Sequence, residues 1–401
     1  MKNTLKKLGA IALVLMLMLS LSVTAFAAED MTASGIVGSK DSNLNSVLKI
    51  PKTLKVFNPD EESVYAPNIS YSYAVTAGTA EIEITDADEV TAKTKAPTSA
   101  QMPTLTASTL SWSSASTTLG ASSTGNNSAA ANVQYLELTF TPSAFTAAGI
   151  YRYKITETVT YTGTGVTEGE NTDHELFLDV YVKDTNANTA GQTIYGYVLH
   201  TGDDSINGST STNTDTKVEG FVYDEYHTSN LTVSKTLVND AAMNSHEFPM
   251  AVTIAEGSVS AGFHLLTEKT GTATVAATLA DKTYTDSAKV ANGGTVKYVG
   301  LPTGATFTVT ETNDVTGTTY KVTHAIDGGT STEDGNKYTG GTATAAVTTV
   351  AADSAHTVAF TNELVLISPT GVVMRVAPYA LMLIGGFVLL VISRRRKVEE
   401  A

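Results

Sequence analysis

The chain has no cysteine, so disulfides, thiolate nucleophiles and thiolate metal sites are all closed to it. It holds ten prolines, seven histidines and a single tryptophan in 401 residues. No Gly-x-Ser-x-Gly or His-Glu-x-x-His pattern occurs, which weighs against a surface hydrolase or a zinc enzyme. The acidic residues lack the spacing of an EF-hand loop, and nothing in the sequence asks for a cofactor or a metal. Positive charge is scarce: 25 Lys and Arg stand against 40 Asp and Glu. Eight of those cations sit at the two ends, so residues 28–370 carry 17 basic against 38 acidic residues, a net of −21. Such an exterior argues against nucleic acid and anionic membrane as partners. Long apolar runs are absent between the ends, while Thr, Ser, Val, Tyr and Gly are plentiful, a composition that predicts an all-β fold.

The ends themselves read differently. Lys2, Lys6 and Lys7 precede an apolar run from Leu8 to Val23, and Ala25-Phe26-Ala27 follows with small residues. That order predicts a signal peptide over 1–27 and an exported chain beginning at Ala28. At the other end Ile367-Ser368-Pro369-Thr370-Gly371 is followed by an apolar stretch from Val372 to Ile392 and by Arg394-Arg395-Arg396-Lys397. About 20 apolar residues span a bilayer, and a basic cluster behind them stays on the cytoplasmic side. Arg375 lies near the outer edge of the span, where a long side chain snorkels. A simple single-pass anchor is one reading of 366–401. Pro-Thr-Gly just ahead of the span, with a very short basic tail behind it, favours a sorting signal that a sortase cuts on a Gram-positive surface.

Two segments recur. Leu48-Lys49-Ile50-Pro51-Lys52-Thr53-Leu54 resembles Leu231-Thr232-Val233-Ser234-Lys235-Thr236-Leu237, and Tyr153-Lys154-Ile155-Thr156-Glu157-Thr158 resembles Phe307-Thr308-Val309-Thr310-Glu311-Thr312. One copy per β-domain gives a lead segment at 28–46, an N-terminal domain at 47–226 and a C-terminal domain at 227–365. The Ser/Thr/Ala-rich stretch 96–131 reads as a loose surface insertion in the first.

Alternate residues of a strand share a face. Leu48, Ile50, Lys52, Leu54 and Val56 share one, as do Leu231, Val233, Lys235 and Leu237, so both lysines are expected to point inward. The same count turns Glu157 inward with Tyr151, Tyr153 and Ile155, and Glu311 inward with Phe307 and Val309. Asp224 falls between Val222 and Tyr226, and Asn362 between Phe360 and Leu364. Buried Lys and Glu are rare unless paired, because desolvating a charge costs several kcal/mol. Taken singly, each is an edge residue or half of an ordinary buried ion pair. The same three-part set, in the same order in both repeats, is harder to assign that way.

An apolar pocket favours the neutral forms of amine and acid alike, and a neutral lysine amine is a nucleophile. Lys235 would attack Asn362 with release of ammonia, and Glu311 would shuttle the protons. Lys52 would attack Asp224 with release of water, and Glu157 would take the same role; this second reaction also requires a protonated Asp224. Each bond forms once per molecule, so this is self-cross-linking and not turnover. Lys217, an odd number of residues before Asp224, is expected to face outward from the same last strand. It is either a solvating charge or an acceptor for the acyl group cut at Thr370.

These residues resemble the major (backbone) pilins of Gram-positive sortase-assembled pili, the streptococcal T-antigen type. The tail Pro369-Thr370-Gly371-Val372-Val373-Met374-Arg375-Val376-Ala377-Pro378-Tyr379 follows that family's sorting region. Lys52-Thr53-Leu54 and Leu231 to Lys235 match the strand starts that carry its cross-linking lysines, and Phe221 to Tyr226 and Phe360-Thr361-Asn362 match the strand ends that carry their partners. Asp224 stands where that type has Asn. The resemblance implies two tandem immunoglobulin-like β-sandwiches without a cofactor. It also implies that a pilus-class sortase cleaves between Thr370 and Gly371 and joins Thr370 to the lysine seven positions before Asp224, which is Lys217, of another copy. A cell-wall-anchored pilus with minor or tip pilins and peptidoglycan as further partners is the implied setting. The competing reading is a wall-anchored adhesin or stalk that is never polymerised.

Overall fold

The computed structural model describes residues 46–365 apart from 80–93, 115–117, 161–164, 170–173, 187–188, 202–216, 222, 260–262, 270–271, 279–282, 317, 335–341 and 348–349, together with 37–38, 382–383 and 387. The expected signal peptide and the sorting residues Ile367, Ser368, Pro369, Thr370 and Gly371 lie outside the described residues. Among the described residues no helix is long and apolar enough to cross a membrane.

The fold is all-β. Strands of four or more residues are β1 (Val47–Phe57), β2 (Ile69–Ala77), β3 (Thr109–Trp112), β4 (Val133–Thr139), β5 (Gly149–Thr160), β6 (Glu175–Asn186), β7 (Thr189–His200) and β8 (Asp224–Val238). They continue as β9 (Phe248–Ala255), β10 (His264–Lys269), β11 (Thr272–Thr278), β12 (Thr283–Val290), β13 (Thr295–Pro302), β14 (Thr306–Thr312), β15 (Tyr320–Ile326), β16 (Thr342–Val347) and β17 (Ala355–Leu364). Strict alternation of buried and part-exposed residues along β1 and β14 is what a strand packed on one face requires. Two apolar cores result. Leu48, Ile50, Tyr71, Ile155 and Leu178 belong to the first, and Leu231, Val252, Phe307, Val309 and Phe360 to the second. In the first, a sheet ordered β7-β6-β5-β2-β3 shares the core with β1, β4 and the start of β8. In the second, β12-β9-β14-β16 does so with β13, β17 and the rest of β8.

The cores meet inside one strand. β8 runs for 15 residues, and its first four pair in parallel with the end of β1. From Asn230 onward it pairs in parallel with β17, while β13 lies antiparallel along its other edge. A register shift falls between Ser229 and Asn230, and all four residues from Thr228 to Leu231 are buried. The residue left without a partner there is Gly300 of β13, at φ +88, so β8 itself carries no extra residue. Asp224 and Lys235 are an odd number of residues apart, so they leave β8 on opposite faces, Asp224 towards Lys52 and Tyr71 of the first core and Lys235 towards Phe248 and Glu311 of the second.

Side-chain amides seal this junction. Asn58 Nδ2 donates to Asn230 Oδ1 at 2.9 Å and Asn230 Nδ2 donates back to Asn58 Oδ1 at 3.0 Å. Asn58 Nδ2 also reaches Thr228 Oγ1, and Asn230 Nδ2 reaches Asp60 Oδ2. Lys297 Nζ then bridges Asp60 and Glu62, each at 2.8 Å. Removing one partner of a buried pair strands the other, at about 1–3 kcal/mol. Asn58→Ala is therefore expected to lower the unfolding free energy by that amount, read as a fall in the urea midpoint, and an unchanged midpoint would contradict the junction's role.

The stretch 96–131, expected to be a loose surface insertion, is woven into the first sandwich. β3 pairs with β2, and Thr104–Leu105 pairs with β4. Leu110, Trp112 and Leu119 lie in the core, and the Trp112 indole donates to Ala131 O at 2.9 Å. Ser and Thr at alternate positions mark the outward face of short strands here, which composition alone does not separate from a loop.

Candidate functional site: two buried trios

Each core holds one lysine, one glutamate and one further polar partner. Lys52 on β1 and Lys235 on β8 are each 1% exposed, and Asn362 on β17 is 0% exposed. The positions correspond by register. Asp224 lies opposite Leu54, two residues after Lys52, and Asn362 lies opposite Leu237, two residues after Lys235. Both lysines therefore stand diagonal to their partners on adjacent parallel strands. The glutamates come from the facing sheets, Glu157 on β5 and Glu311 on β14.

In the second trio Lys235 Nζ donates to both Glu311 oxygens, at 2.9 and 3.0 Å. Asn362 Nδ2 lies 2.6 Å from Glu311 Oε1, while Asn362 Oδ1 is buried without a hydrogen-bond partner. A half-turn of the amide would place Oδ1 against Glu311 instead, at a separation suited to an O–H donor. One carboxyl group thus touches both the would-be nucleophile and the would-be electrophile. The Lys235 ammonium also sits 4.5 Å over the Phe248 ring. Burial pushes Lys235 down to about 8, against the charge and hydrogen bonds of Glu311, which pull the other way.

That shift has a testable sign. While Lys235 is unlinked, its folded value lies below the ordinary lysine value, so between the two the unfolded chain binds more protons and stability rises with pH. Asn362→Ala keeps Lys235 and Glu311 but removes the electrophile. Its urea midpoint is expected to climb as pH rises from about 8 towards the ordinary lysine value near 10.5. A flat or falling profile would contradict the burial penalty.

In the first trio Lys52 Nζ donates to Glu157 Oε1 at 3.0 Å and lies 3.0 Å from Asp224 Oδ2. Residues that sequence reasoning missed complete it. Tyr71 Oη donates to Asp224 Oδ2 and Tyr73 Oη to Glu157 Oε2, both at 2.7 Å. The Gly169 N–H donates to Asp224 Oδ1 at 3.2 Å, and His174 Nδ1 lies 3.3 Å from Glu157 Oε1. Tyr73 faces Glu157 in register as Met250 faces Glu311, which makes Tyr71 the counterpart of Phe248. The lysine again lies 4.5 Å over that aromatic ring. A signal existed in the sequence: Tyr73-Ala74-Val75 parallels Met250-Ala251-Val252. The site with the extra carboxylate is thus the one furnished with extra donors.

Lys217 is exposed, but not by the expected route. It does not lie on the strand of Asp224, which begins β8. It forms an isolated bridge with His200, at the end of the edge strand β7, and the Val218 N–H donates to Leu199 O at 3.0 Å. Bends at Glu219 and Gly220 separate it from β8, so strand parity does not carry across. Among the described residues no group of three or more His, Cys, Asp or Glu is arranged to hold a metal.

No family model and no curated protein sequence matches the chain. Solved structures do. A major pilin from Streptococcus pyogenes matches at 18% identity with a TM-score of 0.41, covering 80% of this chain and 99% of that one. The T3.2 major pilin protein from Streptococcus pyogenes serotype GAS13637 matches at 19% identity and 0.41, covering 82% and 99%. The T-13 major pilin protein from serotype GAS131465 matches at 16% identity and 0.39, covering 83% and 100%. Over most of its length the chain is similar in structure to streptococcal major pilins.

Proposed function

We propose that this chain is the backbone subunit of a covalently polymerised surface pilus, braced by two internal isopeptide bonds. The single observation behind the reading is the pair of buried trios in matching register, one in each core. An ordinary buried ion pair does not account for a third polar group held against the lysine–glutamate pair in both cores, Asn362 on Glu311 and Asp224 on Lys52. Lys235 Nζ attacks Asn362 Cγ, Glu311 relays a proton to the departing nitrogen, and ammonia leaves. Lys52 attacks Asp224 in the same way with Glu157 as relay, and water leaves. The chain is its own substrate, once, so no enzyme activity is assigned.

Polymerisation rests on the tail and on Lys217. A pilus-class sortase would cut after Thr370, hold it as an acyl group and pass it to Lys217 of another copy. The exposed position of Lys217, tied to the sheet edge at His200, suits an acceptor that an external enzyme must reach. Repetition yields a fibre on the cell wall of a Gram-positive bacterium, with minor or tip pilins and peptidoglycan as further attachment partners. Peptide mapping tests the internal bonds: a branched peptide joining the Lys235 and Asn362 segments is expected, and recovery of both as separate linear peptides would contradict the reading.

A further inference from the structure

The two trios differ by one proton, and the difference has a structural counterpart. For the second, an ammonium, a carboxylate and a neutral amide become an isopeptide bond, ammonia and a protonated Glu311. Charge and hydrogens balance with nothing added. For the first, an ammonium and two carboxylates carry a net negative charge in an apolar core. They become an isopeptide bond, water and a protonated Glu157 only if one further proton is supplied. Burying that uncompensated charge is costly, and a carboxylate is a poor electrophile until it is protonated.

We propose that His174 is the relay that hands this proton to Glu157 from solvent. The inference rests on the cross-linking reading above. The Glu157 side chain is 2% exposed and that of His174 is 27% exposed. His174 Nδ1 lies 3.3 Å from Glu157 Oε1, and its Nε2 lies 2.6 Å from Glu168 Oε1 at the surface. The line Glu168, His174, Glu157 therefore leads from water to the buried carboxyl. His174 holds a left-handed backbone, φ +48, and its carbonyl accepts the Glu157 N–H at 2.7 Å. A non-glycine residue in that region is uncommon, and here it sets the ring between the two carboxylates. Among the described residues the other charged groups nearby are the Lys154–Glu175 ion pair beside it, and Lys52 and Asp224 beyond Glu157. Tyr73 Oη occupies Glu157 Oε2, which leaves Oε1 to meet both Lys52 and His174. Among the described residues the hydrogen-bond partners of the Glu311 carboxyl are Lys235 and Asn362, with no histidine.

The proton transfers as follows. His174 gives its Nδ1 proton to the Glu157–Asp224 carboxyl pair and is reprotonated from solvent beside Glu168. The Lys52 ammonium gives up a second proton to the same pair. The amine then attacks Asp224 Cγ, Glu157 gives its proton to the hydroxyl and takes one from the attacking nitrogen, the C–O bond breaks, and water leaves with Glu157 still protonated.

The test uses the full chain isolated unfolded in urea and refolded over a range of pH, with each link followed by mass of its branched peptide. The first link is expected to slow relative to the second as pH rises, because its rate follows the supply of the one proton that the second does not need. His174→Gln is expected to slow the first link by about a hundredfold, the size of a lost acid–base group, with the second link unchanged. In an Asp224→Asn background, where no outside proton is needed, His174→Gln should have no effect. Equal slowing in both backgrounds, or identical pH profiles for the two links, would overturn the relay. Should His174→Gln also slow the second link, a sign of impaired folding, the exposed Glu168→Gln carries the test with the same direction expected. If the second link forms and the first ignores His174, only the relay fails; if neither link forms in the unaltered chain, the cross-linking reading fails with it.

Discussion

Asn362→Ala is expected to lower the unfolding free energy of the second sandwich by about 5 kcal/mol, the entropy of closing so long a loop. Lys235 and Asn362 enclose 127 positions, beyond the range where each added residue matters much. The larger effect appears under tension. On the proposed assembly, load enters at Lys217 and leaves at Thr370. The shortest covalent path between them follows the chain to Lys235, crosses the isopeptide bond to Asn362 and continues to the tail. The 127 positions between lie off that path. Without the bond they all come onto it, and at about 3.4 Å per extended residue each subunit gains roughly 400 Å once its strands part. Single-molecule pulling between handles at 217 and the C-terminus measures this: no extension step is expected from the unaltered chain and one long step from Asn362→Ala. Equal extension in both would remove the load-bearing role. The same path predicts that the Lys52–Asp224 bond adds stability to the first sandwich but bears little of the load, because Lys217 joins the chain only seven positions from Asp224.

Lys217→Ala is expected to abolish the fibre. Denaturing gels of cell-wall extracts should pass from a ladder of high-mass species to monomer, with both internal bonds intact, since Lys217 touches neither trio. A ladder that survives the substitution, or its absence from the unaltered strain, would favour a wall-anchored stalk or adhesin that is never polymerised. Lys217→Arg should behave like Ala. It keeps the charge and reach, but an always-protonated guanidinium offers no nucleophilic amine.

Much of this architecture is legible in the sequence because period-two alternation is strong where a strand buries one face. Leu48-Ile50-Lys52-Leu54 and Phe307-Val309-Glu311 give the orientation of a charged side chain directly from its apolar neighbours. What stays hidden depends on contacts between strands. The continuity of β8 through Ser229 and Asn230 leaves no mark in a stretch of small polar residues, so β8 looks like two strands with a boundary between them. Tyr71 and Tyr73 read as ordinary core aromatics until Asp224 and Glu157 are set against their hydroxyls. His174 follows residues with no strand pattern, and its partners lie both on β5 and beside it at Glu168. Lys217 is exposed for a reason that parity does not supply, because the chain bends between it and β8.

The central claim is that two bonds form inside one folded chain without help, and mass reads it most directly. The intact mass of the expressed segment 28–365 is expected to fall short of the sequence mass by one ammonia plus one water. Glu311→Ala should restore the ammonia and leave the water missing. An unaltered protein that weighs what its sequence dictates would contradict the account.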